Sequence, residues 1–530
     1  MASLREAVAA ALKKSIPEPL AVEVTIPDAE TFGHFSTNVA FRLAKERKAS
    51  PLVLAEELKR ALLGHELFSR VEVAGSGFLN MWISHDALYG ELKRITKEKK
   101  RYGRMKLPKT QQKYIQLEFI SANPTGPLTL ANGRGGFLGD ALANLLEAAG
   151  HTVEREYYVN DTGNQVRTLG NSLLAAQGFI SEEEKFYKGE YVKEWARAHA
   201  VLVKRHQNKP EALGGRAAAD FLKDIKRVIE KKSGIHFDRY TSEKRSVHEK
   251  GFVKKALTLF KKRGLTYENE GAVWLKTTEF GDDKDRVLVT QDGFPTYFLA
   301  DAGHYLETKQ RGFDGKIVIL GPDHYGYVSR IQAAAKIVDL ARSDVIITQA
   351  VRLVRGGEEV KMSKRKGEFV TFEELVDEVS PDAARFFFQM ISPDTHMDFD
   401  LDLAKERSLK NPVFYLQYAH VRATGIMKKA RVAKGGVELA LLDTPEDIRL
   451  ARKLVEFPSV LADAAAHYAV HHVTRYGLEL AKLFHNFYEA ERVDGVEPAL
   501  GRARMALVRA SSAVLENVLG VLGVTAPEEM

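Results

Sequence analysis

No cysteine occurs anywhere in the 530 residues. That absence excludes disulfides, thiolate-bound zinc and a cysteine nucleophile together. Histidine occupies 16 positions, but no His-x-x-x-His pair lies beside a glutamate, so no catalytic zinc is expected and any metal would have to bind through oxygen ligands. No run of about eighteen apolar residues stands out, so a membrane span is not expected. The N-terminus lacks the basic-then-apolar order of a secretory leader, and the expected compartment is the cytoplasm. Internal repeats and low-complexity tails are also missing.

What is present is a soluble composition, 45% hydrophobic and 28% charged, on a chain long enough for roughly three or four domains. A formal net charge of +7 favours a polyanionic partner, provided the charge clusters.

Residues 1–110 read as a small α+β domain. Helical periodicity over Leu4–Lys14 and 51–63 brackets the turn-rich segment Gly33-His34-Phe35-Ser36-Thr37-Asn38, and strand patterns appear over 21–26 and 71–83. A basic run over 93–113 follows, with Arg94, Lys97, Lys99, Lys100, Arg101, Arg104, Lys106 and Lys109. It reads either as a solvated linker helix or as a hinge that contacts phosphates.

Residues 111–402 alternate strands with helices: strand 114–120, helix 135–149, strand 152–159, a helix from 165, then strands at 272–277, 287–290, 316–320 and 345–353 separated by helices at 297–309 and 327–340. This rhythm predicts an α/β domain with a doubly wound, Rossmann-like parallel sheet that holds ligands at the carboxyl ends of its strands. Charged helices over about 178–250 interrupt it as an insertion. Residues 403–530 read as an all-α bundle, with helices over Pro412–Lys429, 445–455, 458–467, 473–491 and 501–522.

Two stretches carry the chemistry. The first is a buried strand ending in the loop Asn123-Pro124-Thr125-Gly126-Pro127 ahead of a helix, a place where helix N–H groups can face a phosphate. The second is Lys361-Met362-Ser363-Lys364-Arg365-Lys366-Gly367. A loop this basic repels itself unless an anion is expected, and Lys361 and Lys364, three apart, can grip nucleotide phosphates and neutralise charge in a transition state. A bare lysine-rich turn would be an exposed loop; placement after the last strand of an α/β domain favours the phosphate reading.

Together these stretches resemble a class I aminoacyl-tRNA synthetase, and specifically the arginyl-tRNA synthetase family. The resemblance extends to Gly33–Asn38 and Gly77-Phe78-Leu79-Asn80 near the N-terminus, to Gly321-Pro322-Asp323-His324 in the middle domain and to Asn411-Pro412-Val413-Phe414-Tyr415-Leu416-Gln417-Tyr418-Ala419-His420 in the bundle. It implies an ATP-dependent arginine–tRNA ligase acting on L-arginine, ATP with Mg²⁺ and tRNA(Arg), with tRNA needed for activation, no protein-bound zinc and a monomeric state. Arginine demands carboxylates, which its planar guanidinium pairs in a bidentate way. Positions matching Glu118, Ser121, Asn123, Tyr297 and Asp301 would hold it. Pro127, Ala131, Gly321, Asp323, His324, Met362 and Ser363 would line the ATP site. Phe78 and Asn80 would meet a base of the tRNA elbow, and Tyr418 and Arg422 would contact tRNA from the anticodon-binding bundle. Without the resemblance, Tyr297 could equally be core packing.

The chain departs from the family where the signature His-x-Gly-His should stand: residues 129–132 are Thr129-Leu130-Ala131-Asn132. The two imidazoles that would stabilise the transition state are replaced by neutral donors, at a cost on the order of 1 kcal/mol each. Three readings follow. An active ligase would use Thr129 and Asn132 with Lys361, Lys364 and Arg134; a tRNA-binding paralogue would have lost adenylation; a nucleotidyltransferase of the same fold would act on a small molecule. The retained carboxylates and lysine loop favour the first.

Overall fold

The structure is a computed structural model describing residues 3–27, 29–360 and 370–530. It divides into two compact units: one comprises Met1–Lys106, Phe414–Val521 and Thr525–Met530, the other Leu107–Val413 and Leu522–Val524.

The second unit is built on a five-stranded sheet of β1 (Tyr114–Glu118), β2 (Thr152–Val159), β3 (Arg239–Ser242), β4 (Gly315–Leu320) and β5 (Arg342–Ile347). All neighbours are parallel, in the order β5-β4-β1-β2-β3. The order reverses between β1 and β4, so a crevice opens at their carboxyl ends, where doubly wound sheets bind ligands. Helices α1 (Leu130–Ala148), α2 (Asn164–Ala176), α3 (Tyr297–Gln310) and α4 (Val328–Ile337) connect the strands. Ile115, Leu117, Phe119, Ile317, Val318 and Ile319 are all buried, consistent with a sheet covered on both faces. Helix α1 lies close against β1, because a Cβ on Gly139 would stand 2.3 Å from the Phe119 ring.

Several expectations need correction. Helix α1 starts at Leu130, not Gly135, because Thr129 and Asn132 form a capping box that extends it by more than a turn. The insertion does not run to 250: residues 239–242 return to the main sheet as its edge strand β3. The strands expected at 272–277 and 287–290 belong to a separate antiparallel sheet of Thr266–Asn269, Ala272–Leu275 and Arg286–Val289. The strand expected at 345–353 is two strands in different sheets: β5, and Val351–Arg355, which pairs in parallel with Met397–Asp400.

In the first unit, Phe35–Thr37, Phe68–Ala74 and Phe78–Ile83 form a three-stranded sheet. The strand read over 71–83 is therefore a hairpin, turned by Gly75 and Gly77 at φ 55° and 141°. The stretch 21–26 contributes only a Thr25–Ser36 bridge. Pro458 does not end a helix: Pro445–His467 is continuous, with Phe457, Pro458 and Leu461 buried. The helix Pro498–Leu522 has an apolar segment long enough to span a bilayer, but that segment is mostly buried. This apolar run escaped the sequence reading, and Leu507, Val514, Leu515 and Val518 place it in the bundle core.

Candidate active site

Strand β1 delivers Glu118 to the crevice with only 8% of its surface exposed. A buried carboxylate is costly without a partner, and Lys316 of β4, 1% exposed, supplies one: its Nζ lies 2.6 Å from Glu118 Oε2. His304 of α3 sits beside the pair, Nδ1 3.9 Å from Glu118 Oε2 and Nε2 3.2 Å from Glu156 Oε1. Burial alone would raise Glu156, but the His304 bond and the charges of Lys316 and Arg311 outweigh it and hold its carboxyl well below the usual range. The floor of the crevice is thus an alternating ionic row in which Glu118 is already neutralised.

Past Glu118 the backbone turns sharply. Ile120 and Ser121 both adopt left-handed conformations, φ 62° and 37°, which cost non-glycine residues free energy and persist only where the surroundings hold them. Here Ser121 Oγ accepts the Tyr158 N–H at 3.0 Å and the Ser121 N–H donates to Phe119 O at 2.8 Å. Ser121 and Asn123 are half-buried at the rim.

Helix α3 starts behind its cap Thr296. Tyr297, in the first turn, is 60% exposed and faces Gly163, whose Cβ position lies 3.9 Å from its ring. Core packing is excluded for it. One turn on, Asp301 has no hydrogen-bond or ionic partner among the described residues. Burial, with the charges of Glu243 and Glu118 added, pushes its carboxyl up to about 7.

Two residues here were not anticipated. Glu243, directly after β3, is 7% exposed, and burial raises its carboxyl too, with His248 opposing. Its segment had been assigned to the insertion; four polar residues, Arg-Tyr-Thr-Ser, give a short edge strand no hydrophobic signature. Tyr158 of β2 stacks on His304 at 4.1 Å, and its buried hydroxyl has no hydrogen-bond partner among the described residues. Burial, then the charges of Glu243, Asp301, Glu118 and Asp161, raise that hydroxyl well above its ordinary value. No sequence pattern marks such a tyrosine in a strand that mixes charged and apolar residues, Thr-Val-Glu-Arg-Glu-Tyr-Tyr-Val.

At the other end of the crevice, Thr129 Oγ1 accepts the Asn132 N–H at 3.4 Å, while Asn132 Oδ1 accepts the Thr129 N–H and hydroxyl at 2.9 Å each. The Asn132 Nδ2 group has no acceptor among the described residues, and the Leu130 and Ala131 amides have no intrahelical one. Pro127 and Thr129 are exposed and Ala131 half-buried. Gly321, Pro322, Asp323 and His324 follow β4 into a short exposed turn, with His324 Nε2 3.5 Å from Asp323 Oδ2.

Lys361, Met362, Ser363 and Lys364 lie outside the described residues. The chain resumes at Val370, and there Thr371 bridges Thr129 while the Phe372 N–H donates to Leu128 O at 2.9 Å. The segment at 371–372, which follows the second stretch in sequence, therefore meets the end of the first. Arg134 does not face them: 1% exposed, it donates to the carbonyls of Gln349, Ser392 and Thr395 at 2.8, 3.0 and 2.9 Å. It is a tie within the fold, contrary to the expectation that it helps hold phosphates.

In the other unit, Phe78 is 46% exposed, edge-on to Phe41 at 5.1 Å. Asn80 is buried, its Oδ1 accepting the Ser36 hydroxyl at 2.9 Å. The Arg422 guanidinium lies over the rings of Tyr418 and Tyr488, at 4.7 and 4.4 Å.

Comparison with known proteins gives three family matches: "Arginyl tRNA synthetase N terminal domain" over residues 2–83, "tRNA synthetases class I (R), catalytic domain" over 91–389 and "DALR anticodon binding domain" over 416–530. Curated relatives include the arginine–tRNA ligase of Desulforamulus reducens, 40% identical over 100% of this chain and 98% of that one, and that of Carboxydothermus hydrogenoformans, 42% identical with the same coverage. Among solved structures, Thermus thermophilus arginyl-tRNA synthetase superposes with a TM-score of 0.78 at 22% identity, covering 99% of each chain. The Plasmodium falciparum enzyme reaches 0.78 at 16% identity, covering 100% of each.

Proposed function

Since the chain belongs to the arginyl-tRNA synthetase family, we propose that it is an arginine–tRNA ligase in which Asp301 is the principal receptor for the substrate guanidinium. The arginine carboxylate attacks the α-phosphate of ATP, pyrophosphate leaves, and a terminal ribose hydroxyl of tRNA(Arg) then takes the arginyl group, releasing AMP.

The observation that carries the assignment is the unpartnered Asp301 carboxyl beside Glu243, at the switch point, under an exposed Tyr297. A guanidinium gives both carboxylates a planar donor set. Glu118, neutralised by Lys316, contributes shape and a remaining lone pair more than net charge. Ser121 and Asn123 would meet the α-amino and carboxylate groups. ATP phosphates would meet the first turn of α1, with Thr129 and Asn132 donating in place of imidazoles and Pro127 and Ala131 at its edge. Adenosine would lie against Gly321, Asp323 and His324. The loop of Lys361, Met362, Ser363 and Lys364 would close over the phosphates. Mg²⁺ arrives with ATP on hard phosphate oxygens. Phe78 and Asn80, with Tyr418 and Arg422, would serve tRNA, and the enzyme would work as a cytoplasmic monomer.

The test is pyrophosphate release with each component omitted in turn. Release that requires arginine, ATP and tRNA(Arg) together supports the reading. Tight tRNA binding without release would instead indicate a paralogue that has lost adenylation.

A further inference from the structure

We propose that the connector at residues 93–106 is a preformed docking strip for the RNA phosphate backbone, separate from the base-contacting residues above; this rests on the ligase reading. The strip sorts its charges. Glu98 and the neighbouring Glu91 are turned to structural use: Glu91 and Glu98 take Arg94 at 2.7 and 3.9 Å, and Glu91 also accepts the Tyr102 hydroxyl at 2.9 Å. Six cations, Lys93, Lys97, Lys99, Arg101, Arg104 and Lys106, are exposed, and among the described residues none has a side-chain hydrogen bond or ion pair.

A solvated linker would not be fixed in place, and this segment is. Tyr102 is fully buried. Asn517 Nδ2 donates to the carbonyls of Lys99 and Tyr102 at 2.9 and 3.2 Å. Gly103, at φ 86°, packs so tightly that a Cβ would stand 2.7 Å from the Phe457 ring. Six like charges held at fixed positions repel one another unless a polyanion is expected.

RNA is favoured over other polyanions by continuity. The strip, itself within the catalytic-domain match over 91–389, belongs to the same compact unit as residues 2–83 of the N-terminal match and 416–521 of the anticodon-binding match; it follows the first in sequence and is tied to the second through Asn517. Phosphate contacts position a nucleic acid without reading sequence.

The experiment compares K97E/R101E/R104E with a control of equal charge change on a helix of the other unit, K254E/K261E/K262E. Binding of tRNA(Arg) transcript would be followed from 50 to 200 mM KCl, with folding checked by thermal melting. Each lost phosphate contact removes about 0.7–0.9 from the slope of log affinity against log salt. The strip variant is therefore expected to lose about two units of slope and bind at least tenfold more weakly at 100 mM, while the control stays near wild type. Unchanged affinity and slope in a folded strip variant, or an equal loss in the control, would overturn the proposal. So would loss of binding to anionic vesicles with tRNA binding intact. If wild type fails to charge tRNA, the ligase reading falls; if wild type charges normally and the strip variant binds unchanged, only the strip proposal falls.

Discussion

Lys316 Nζ stands 2.6 Å from Glu118 Oε2 on neighbouring central strands, and both side chains are buried. The pair removes one negative charge from a crevice that otherwise collects carboxylates. It leaves Asp301, which has no ionic partner among the described residues, beside Glu243, whose ionic contact is His248 Nε2 at 3.1 Å.

Breaking that pair from one side leaves an uncompensated buried charge, which costs about 3–5 kcal/mol. K316M is expected to lower the urea unfolding midpoint accordingly, and K316M/E118Q to recover most of the loss. Equal destabilisation in the single and double variants would contradict the pairing.

Asp301 predicts a pH dependence. With its carboxyl raised to about 7, the protein without arginine favours the protonated form: the unfolded chain gives up this proton at about pH 4 and the folded one only at about 7, so its contribution to stability is full below about pH 4, is lost as pH rises toward 7 and is level above that. Arginine binding requires the charge and offsets it. The arginine-induced rise in melting temperature should therefore be larger at pH 8 than at pH 6, and kcat/KM for arginine should fall about tenfold per unit below pH 7. D301N should raise KM at least a hundredfold and abolish this limb.

The Tyr158 hydroxyl is buried and has no partner among the described residues, so the Y158F change is expected to remove no bond from the free protein. Stability should be unchanged or slightly higher, because an unsatisfied polar group is removed. If the hydroxyl meets the guanidinium, KM for arginine should rise about tenfold with kcat little changed.

Asn132 serves helix α1 and, on this account, the phosphates. N132A removes half of a reciprocal cap, worth about 1 kcal/mol of stability, and should lower kcat about tenfold through the lost donor. A stability loss with kcat unchanged would leave the residue a cap alone.

The sequence reveals the parts of this site that are local. The strand, Pro-Gly loop and helix over 114–148 follow from periodicity and turn residues. Thr-x-x-Asn was a readable cap, and would have placed the helix start at Leu130. Contacts across long separations left no such mark. Lys316 reads as one polar residue in an apolar strand until the fold sets it against Glu118, about two hundred residues earlier. Glu243 was hidden because β3 is short, polar and at an edge. Pro458 misled because buried neighbours override its local cost.

Selectivity between arginine and citrulline, its neutral isostere, tests the central claim most directly. Charging of tRNA(Arg) should proceed with arginine, and kcat/KM for citrulline should be lower by at least about four orders of magnitude, because the desolvated Asp301 carboxyl would be left without a cation. Comparable charging of both amino acids, or none with arginine, would contradict the assignment of this carboxylate as the substrate's receptor.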